Sequence, residues 1–242
     1  MPRPSPAILE PRKSPVQARS AASVDAIVEA TIQVLLRVGK QRLTTTKVAL
    51  TAGVSVGTLY QYFPNKSALL KAALKRHMDE VAEAIEKVCH ERKGQSPAQM
   101  ATALMTAFLQ AKMKNPGTSV ALFAVSSDVD GARIVREMGI RSNAAIVAML
   151  KTAPEQFTSD PQLVASMLQG IMVGISRRLL ESAAPEKEFD TLRQEMIFVA
   201  CSYLNACSAR AGSVESAPPP CRSIFSSASN SGPEKTNGSS KN

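Results

Sequence analysis

Apolar residues recur at intervals of three and four along most of the chain, and no stretch sustains a period of two. That pattern predicts helices throughout. The first helix is expected over Ser23–Val38, with Ile27, Ala30, Thr31, Val34, Leu35 and Val38 on one face and Gly39 at its end. Thr44, a good capping residue, announces a short helix with Val48, Ala49 and Ala52 inward. Gly53 can adopt the left-handed backbone that turns the chain sharply. Val54 plugs the corner, and Ser55 caps a second short helix, Val56–Tyr62, which Pro64 stops at Phe63. Asn65 caps a long helix from Lys66 to about Glu91, with Leu70, Leu74, Met78, Val81, Ile85 and Val88 along one side. Two short helices joined by a glycine turn make a helix-turn-helix, whose second helix can enter the major groove of DNA.

Beyond a break at Lys93–Pro97, further helices are expected over Ala98–Lys114, Thr118–Ser126 and Ala132–Lys151. Another runs from Asp160-Pro161 to about Ala183 and carries two apolar stripes. One is Leu163, Met167, Gly170 and Gly174; the other is Val164, Leu168, Ile171, Ile175 and Leu179. Two stripes imply burial on two sides. The last helix, after Pro185, places Leu192, Met196, Val199, Tyr203 and Ala206 in a 4-3-4-3 seam. Met167, Gly170, Gly174, Leu192, Met196, Val199 and Tyr203 are therefore the candidates for a homodimer interface of four helices. Packing within one subunit is the alternative.

The fold class is all-α: a three-helix helix-turn-helix head joined by a long helix to a helical body for ligand binding and dimerisation. The expected division is a disordered basic arm at 1–20, a DNA-binding head at 21–82, a body at 83–210 and a disordered tail at 211–242. The long helix is basic at its start and acidic toward its end, so it either acts as a lever between head and body or is an ordinary amphipathic helix with solvated charges.

Charge sharpens this division. Residues 1–77 hold 12 Lys and Arg against 3 Asp and Glu, whereas residues 78–242 hold 17 of each. The excess positive charge lies wholly with the helix-turn-helix, as an electrostatic footprint for nucleic acid would. The chain has no Trp, but at 44% apolar it can bury a substantial core. No run of eighteen apolar residues stands out and the N-terminus lacks a signal-peptide core, so no membrane partner and a cytoplasmic location are expected. Four cysteines (Cys89, Cys201, Cys207, Cys221) and two histidines (His77, His90) make no metal-binding pattern. No nucleophile, base or phosphate-loop motif stands out, so neither cofactor nor enzymatic activity is expected.

The chemistry available on the second short helix is easily stated. With Leu59 and Phe63 turned inward, Val56, Gly57, Thr58, Tyr60, Gln61 and Tyr62 point elsewhere, and none is acidic. Gln61 can pair with adenine through two hydrogen bonds. Thr45, Tyr60, Tyr62 and Lys66 carry groups suited to phosphate oxygens. Thr44, Thr46 and Ser55 complete the candidate DNA surface at the starts of the two helices.

Over Ser23–Val81 the chain resembles the tetracycline-repressor (TetR) family of bacterial transcriptional regulators. The resemblance is carried by TTTKVA, the turn AGVSVG and above all TLYQYFPNKSALL. It implies DNA contacts by Thr45, Thr58, Tyr60 and Tyr62, a phosphate contact by Lys66, and base-facing positions at Thr46, Val56, Gly57 and Gln61. It also implies a homodimer on a double-stranded operator in the bacterial nucleoid, usually as a repressor, and a body holding a small-molecule effector. The Met- and Phe-rich part of the body offers candidate lining: Met100, Leu104, Phe108, Phe123, Met138, Met149 and Met172. Methionine suits a pocket for variable apolar or amphipathic ligands, although the same spacing also fits plain core.

Overall fold

The computed structural model describes residues 18–208. These form nine α-helices and a single 3-10 turn. They are α1 (Ala18–Arg42), α2 (Thr45–Ala52), α3 (Val56–Tyr62), α4 (Lys66–Glu91), α5 (Pro97–Met113), α6 (Pro116–Val125), α7 (Gly131–Leu150), α8 (Pro161–Glu181) and α9 (Pro185–Cys207), with the 3-10 turn at Ser126–Asp128. The basic arm around Arg12 and Lys13, and the tail with Cys221, lie outside the described residues.

Local chemistry sets the helix ends. Thr44, Ser55 and Asn65 each accept a hydrogen bond from a backbone N–H of the helix they precede. Gly53 sits at φ 68°, ψ 28°, the left-handed conformation that lets α2 stop and α3 leave at an angle. Ser96 and Gln99 form a reciprocal capping box at the start of α5. Among the described residues α1 spans Ala18–Arg42, longer than the expected Ser23–Val38, and its regular part ends at Gly39, where φ is 73° and ψ is 168°.

Two clusters of buried side chains organise the chain. The first gathers Ile27, Val34, Leu43, Val48, Leu59, Phe63, Leu69 and Leu74 from α1–α4. Four residues from much later, Leu122, Val125, Val129 and Ile134, complete it. The second gathers Val81, Ile85, Met100, Leu104, Phe108, Met149, Leu168, Met196 and Leu204 from α4, α5, α7, α8 and α9. α4 passes from one cluster to the other between Met78 and Val81. Its expected apolar face is buried along its whole length.

α7 lies along α4, and Arg141 fastens the two. Its guanidinium donates to both oxygens of Glu86 at 2.7 Å and to Asp79 at 3.3 Å. That fork holds the Glu86 carboxyl below its usual range. α7 starts in a tight corner: a Cβ on Gly131 would lie 2.4 Å from the Ser126 carbonyl oxygen, so no side chain fits there. At the far end, Thr158 donates to the Cys207 carbonyl through its backbone N–H at 2.7 Å and its hydroxyl at 2.9 Å, tying the α7–α8 connection to the end of α9.

α8 is apolar on two sides. By length and composition it could cross a membrane, with a mean hydropathy of 1.3 over its most apolar eighteen residues. Its inner stripe meets the subunit core: Val164, Leu168 and Leu179 are fully buried. Its outer stripe gives the excess hydropathy, and 39% of the apolar window is buried.

Candidate nucleic-acid interface

α3 is seven residues long, too short to stand alone, and is held by Leu59 and Phe63 in the first core. This fixes which residues face outward. Gly57 and Gln61 are exposed, as are Val56 (37%) and Tyr60 (40%), while Thr58 and Tyr62 are half-buried. Ser55 accepts from the Thr58 backbone at 2.9 Å, and its hydroxyl lies 2.8 Å from that of Thr58. Both of these hydroxyls thus serve the turn as well as the surface. A Cβ on Gly57 would meet only the Ser55 hydroxyl, at 3.7 Å, so nothing in the subunit requires glycine there.

The start of α2 joins the same surface. Thr45 and Tyr60 hold their hydroxyls 3.1 Å apart, linking α2 to α3. Thr44 is occupied as the cap, and Thr46 is exposed beside it. Lys66 is half-buried and donates to the Lys40 carbonyl at the end of α1.

Two more cations were not singled out in the sequence. Lys47 is exposed and donates to the Arg42 carbonyl at 2.9 Å, and Arg42 itself is exposed. Their nearness to the TTT segment was the available signal. What the sequence does not show is that the kink at Gly39 brings the end of α1 against both α2 and the start of α4.

The candidate effector residues do not surround one opening. Met100, Leu104, Phe108, Met149 and Met172 share the second core and are at most 2% exposed. Phe123 is instead 43% exposed, because α6 is apolar on all sides and turns Leu122 and Val125 inward. Met138 packs on the first core, on the other side of the crossover. Two clefts are lined by none of these seven residues. Of about 600 and 670 Å³, they run beside α4 and α5 and share Val88, Ala107 and Gln110.

The candidate dimer residues separate similarly. Met167, Gly170, Gly174 and Val199 are exposed. Met196 is buried in the subunit's own core, and Leu192 and Tyr203 pack against that core, because α9 turns this part of its seam inward. The outward apolar face includes Leu163 (56%), Val173 (54%) and Phe198 (67%), which the seam did not include.

Cys89, Cys201 and Cys207 are free thiols, and burial pushes Cys89 up to about 12. No group of three potential metal ligands occurs among the described residues.

The geometry agrees with comparison to known proteins. Residues 27–73 match the family model for bacterial regulatory proteins of the tetR family. Residues 96–204 match the model for the tetracyclin repressor-like C-terminal domain. The nucleoid occlusion factor SlmA of Haemophilus ducreyi is 36% identical over 81 residues, covering 34% of this chain and 39% of that protein. SlmA of Actinobacillus pleuropneumoniae is 29% identical over 150 residues, 60% of this chain and 73% of that protein. A Mesorhizobium loti crystal structure assigned to the TetR-family transcriptional regulators shares the fold, with a TM-score of 0.66 at 19% identity over 80% of this chain and 100% of that one. With both family models matched in order, on a helix-turn-helix whose exposed face bears no acidic side chain, the chain belongs to the TetR family of DNA-binding transcriptional regulators.

Proposed function

We propose that the protein is a homodimeric repressor, released from its operator by a small apolar or amphipathic effector. The observation that carries this reading is the exposed face of α3. Val56, Gly57, Tyr60 and Gln61 stand free of the core, and Arg42, Lys47 and Lys66 lie at the end of α1 and the starts of α2 and α4. In the complex α3 lies in the major groove. Gln61, Gly57, Val56 and Thr46 read base edges, while Thr44, Thr45, Ser55, Thr58, Tyr60, Tyr62 and Lys66 hold the backbone, assisted by Arg42 and Lys47. The head comprises residues 21–82 and the regulatory body residues 83–210.

The outward faces of α8 and α9 pair with a second copy. Leu163, Met167, Val173, Phe198 and Val199 supply apolar area. Gly170 and Gly174 have open space where a Cβ would stand, which admits a close helix. Two-fold symmetry sets the heads about 34–36 Å apart, or a multiple of that, on a near-palindromic site. The effector enters the second core among Met100, Leu104, Phe108, Met149 and Met172 by displacing flexible methionines. It acts on the heads through α4, and through α6, whose Leu122 and Val125 belong to the head core. The protein works in the cytoplasm, on the nucleoid.

The test is to select genomic fragments with the full-length protein and measure affinity for recovered duplexes against salt. Specific binding that falls by about 10³-fold or more between 50 and 200 mM salt supports the interface, and a flat response overturns it. A second reading, nucleoid occlusion, is favoured by the alignment with the Actinobacillus relative, which extends over 150 residues. Fragments from one or a few loci support the repressor; fragments spread around the chromosome support the second reading.

A further inference from the structure

A third cavity, of about 210 Å³, lies where head and body meet, apart from the effector residues named above. One wall is α1 and α4, contributing Glu29, Gln33, His77 and Glu80. The opposite wall is the elbow between α5 and α6, contributing Lys114, Asn115 and Thr118. Ile32 and Leu36 line the space between.

His77 is the informative group, because it is 93% buried yet has work for only one ring nitrogen. The Ser119 hydroxyl donates its hydrogen to the Lys112 carbonyl at 2.5 Å. It can therefore only accept from His77, whose Nε2 lies 3.1 Å away. That fixes the tautomer: Nε2 carries the proton and Nδ1 is a bare acceptor. Nδ1 has no hydrogen-bond partner and is not fully enclosed, and His77 lines the cavity. Burial, and then the nearby Lys112 cation, push His77 down to about 4, so the ring stays neutral at physiological pH.

The two walls differ in sign. Glu29 and Glu80 give the first wall carboxylates; Glu29 also accepts from Gln33 at 3.3 Å, and Arg76 lies 3.7 Å from Glu80. The second wall has the Lys114 ammonium and the start of α6. Asn115 makes no side-chain cap there; Pro116 has no N–H and that of Ser119 bonds the Asn115 carbonyl, so the Gly117 and Thr118 N–H groups are the ones left for an anion.

We propose that this cavity binds a small zwitterion, its amine toward Glu29, Glu80 and His77 Nδ1, and its carboxylate toward Lys114 and the start of α6. At ~30 Å³ per water the space holds roughly seven waters, which sets the ligand at about seven to ten non-hydrogen atoms. A short methylene chain between the charges lies on Ile32 and Leu36. Because α1 packs on α2, a ligand joining α1 to the elbow sets the tilt of the head. The effect on DNA rests on the repressor reading above; the binding does not.

The test uses the full-length protein and calorimetry with 4-aminobutyrate and 5-aminopentanoate, against butylamine and butyrate. A zwitterion is expected to bind at least about tenfold more tightly than either single-charge probe. Glu29→Gln and Lys114→Ala should each weaken it about tenfold, with unchanged thermal midpoints. The Nδ1 resonance of His77, followed by ¹⁵N NMR, should move on binding while that of His90 stays. No zwitterion binding at millimolar concentration, equal binding of a single-charge probe, or indifference to both variants overturns the site. Binding that leaves operator affinity unchanged overturns its coupling to the head and leaves the site standing.

Discussion

The face of α3 and the outer faces of α8 and α9 both display side chains outside the subunit's cores, but in opposite chemistry. α3 shows hydroxyls, an amide and a bare glycine, with cations beside them. α8 and α9 show Leu163, Met167, Val173, Phe198 and Val199. A polar, cation-flanked face can wait in water and bind reversibly, with an affinity set by salt. A contiguous apolar face calls for a lasting partner. On the proposed function, the subunit separates a contact that is broken from one that holds.

The largest expected effect comes from spoiling the lasting contact. Phe198→Glu or Val199→Asp should give monomers by sedimentation equilibrium and lower affinity for a two-half-site duplex by about 10²–10⁴-fold, through lost avidity. Monomers that bind the full site as tightly as wild type would break the comparison.

The junction between the regions gives the next effect. An unfolded histidine takes up a proton near 6.5, and folded His77 only near 4. Between those values the unfolded chain holds the extra proton, so stability falls as the pH falls, by about 3 kcal/mol across the window. Urea unfolding from pH 7 to 4 checks this: His77→Gln, which keeps a donor for Ser119, should flatten that part of the curve. Lys112, pushed down to about 8 by burial, should add stability as the pH rises from about 8 toward 10.5.

Two glycines sharpen the comparison at smaller scale. Gly57 and Gly170 are helical, and neither has a neighbour that a Cβ would crowd. Alanine at each should raise the intrinsic stability of the helix by about 0.5–1 kcal/mol. Gly57→Ala should nonetheless weaken DNA binding, read by anisotropy, and Gly170→Ala should weaken the dimer, read by sedimentation. A variant that stabilises without weakening its contact removes that glycine from the interface. The smallest effect is expected for Tyr60→Phe: under about 0.5 kcal/mol in folding, since the residue is exposed, with a few-fold loss of affinity for all DNA sequences alike.

The head was more legible in the sequence than the body, for a physical reason. Thr44, Gly53, Ser55, Pro64 and Asn65 act through backbone groups a few residues away, so their effect is written beside them. The helices of the body were legible by the same local rules. Which side each would face was not. Phe123 stands in a more apolar stretch of the chain than Met100, yet Met100 is fully buried and Phe123 is exposed. The Lys66 bond to the Lys40 carbonyl, the packing of Leu122 and Val125 under the head and the His77–Ser119 pair all span long sequence separations. No periodicity reports such contacts. On α8 the double stripe did separate inner from outer residues, because two stripes on one helix face different surroundings.

α4 carries a consequence for how the molecule comes apart. Neither core is closed without its share of that single rod, and the rod has no break at the point where one share gives way to the other. Heat that loosens either end withdraws a wall from the other. A calorimeter should accordingly record one endotherm rather than two, and a substitution such as Leu74→Ala in the head should lower the melting of the distant helices with it.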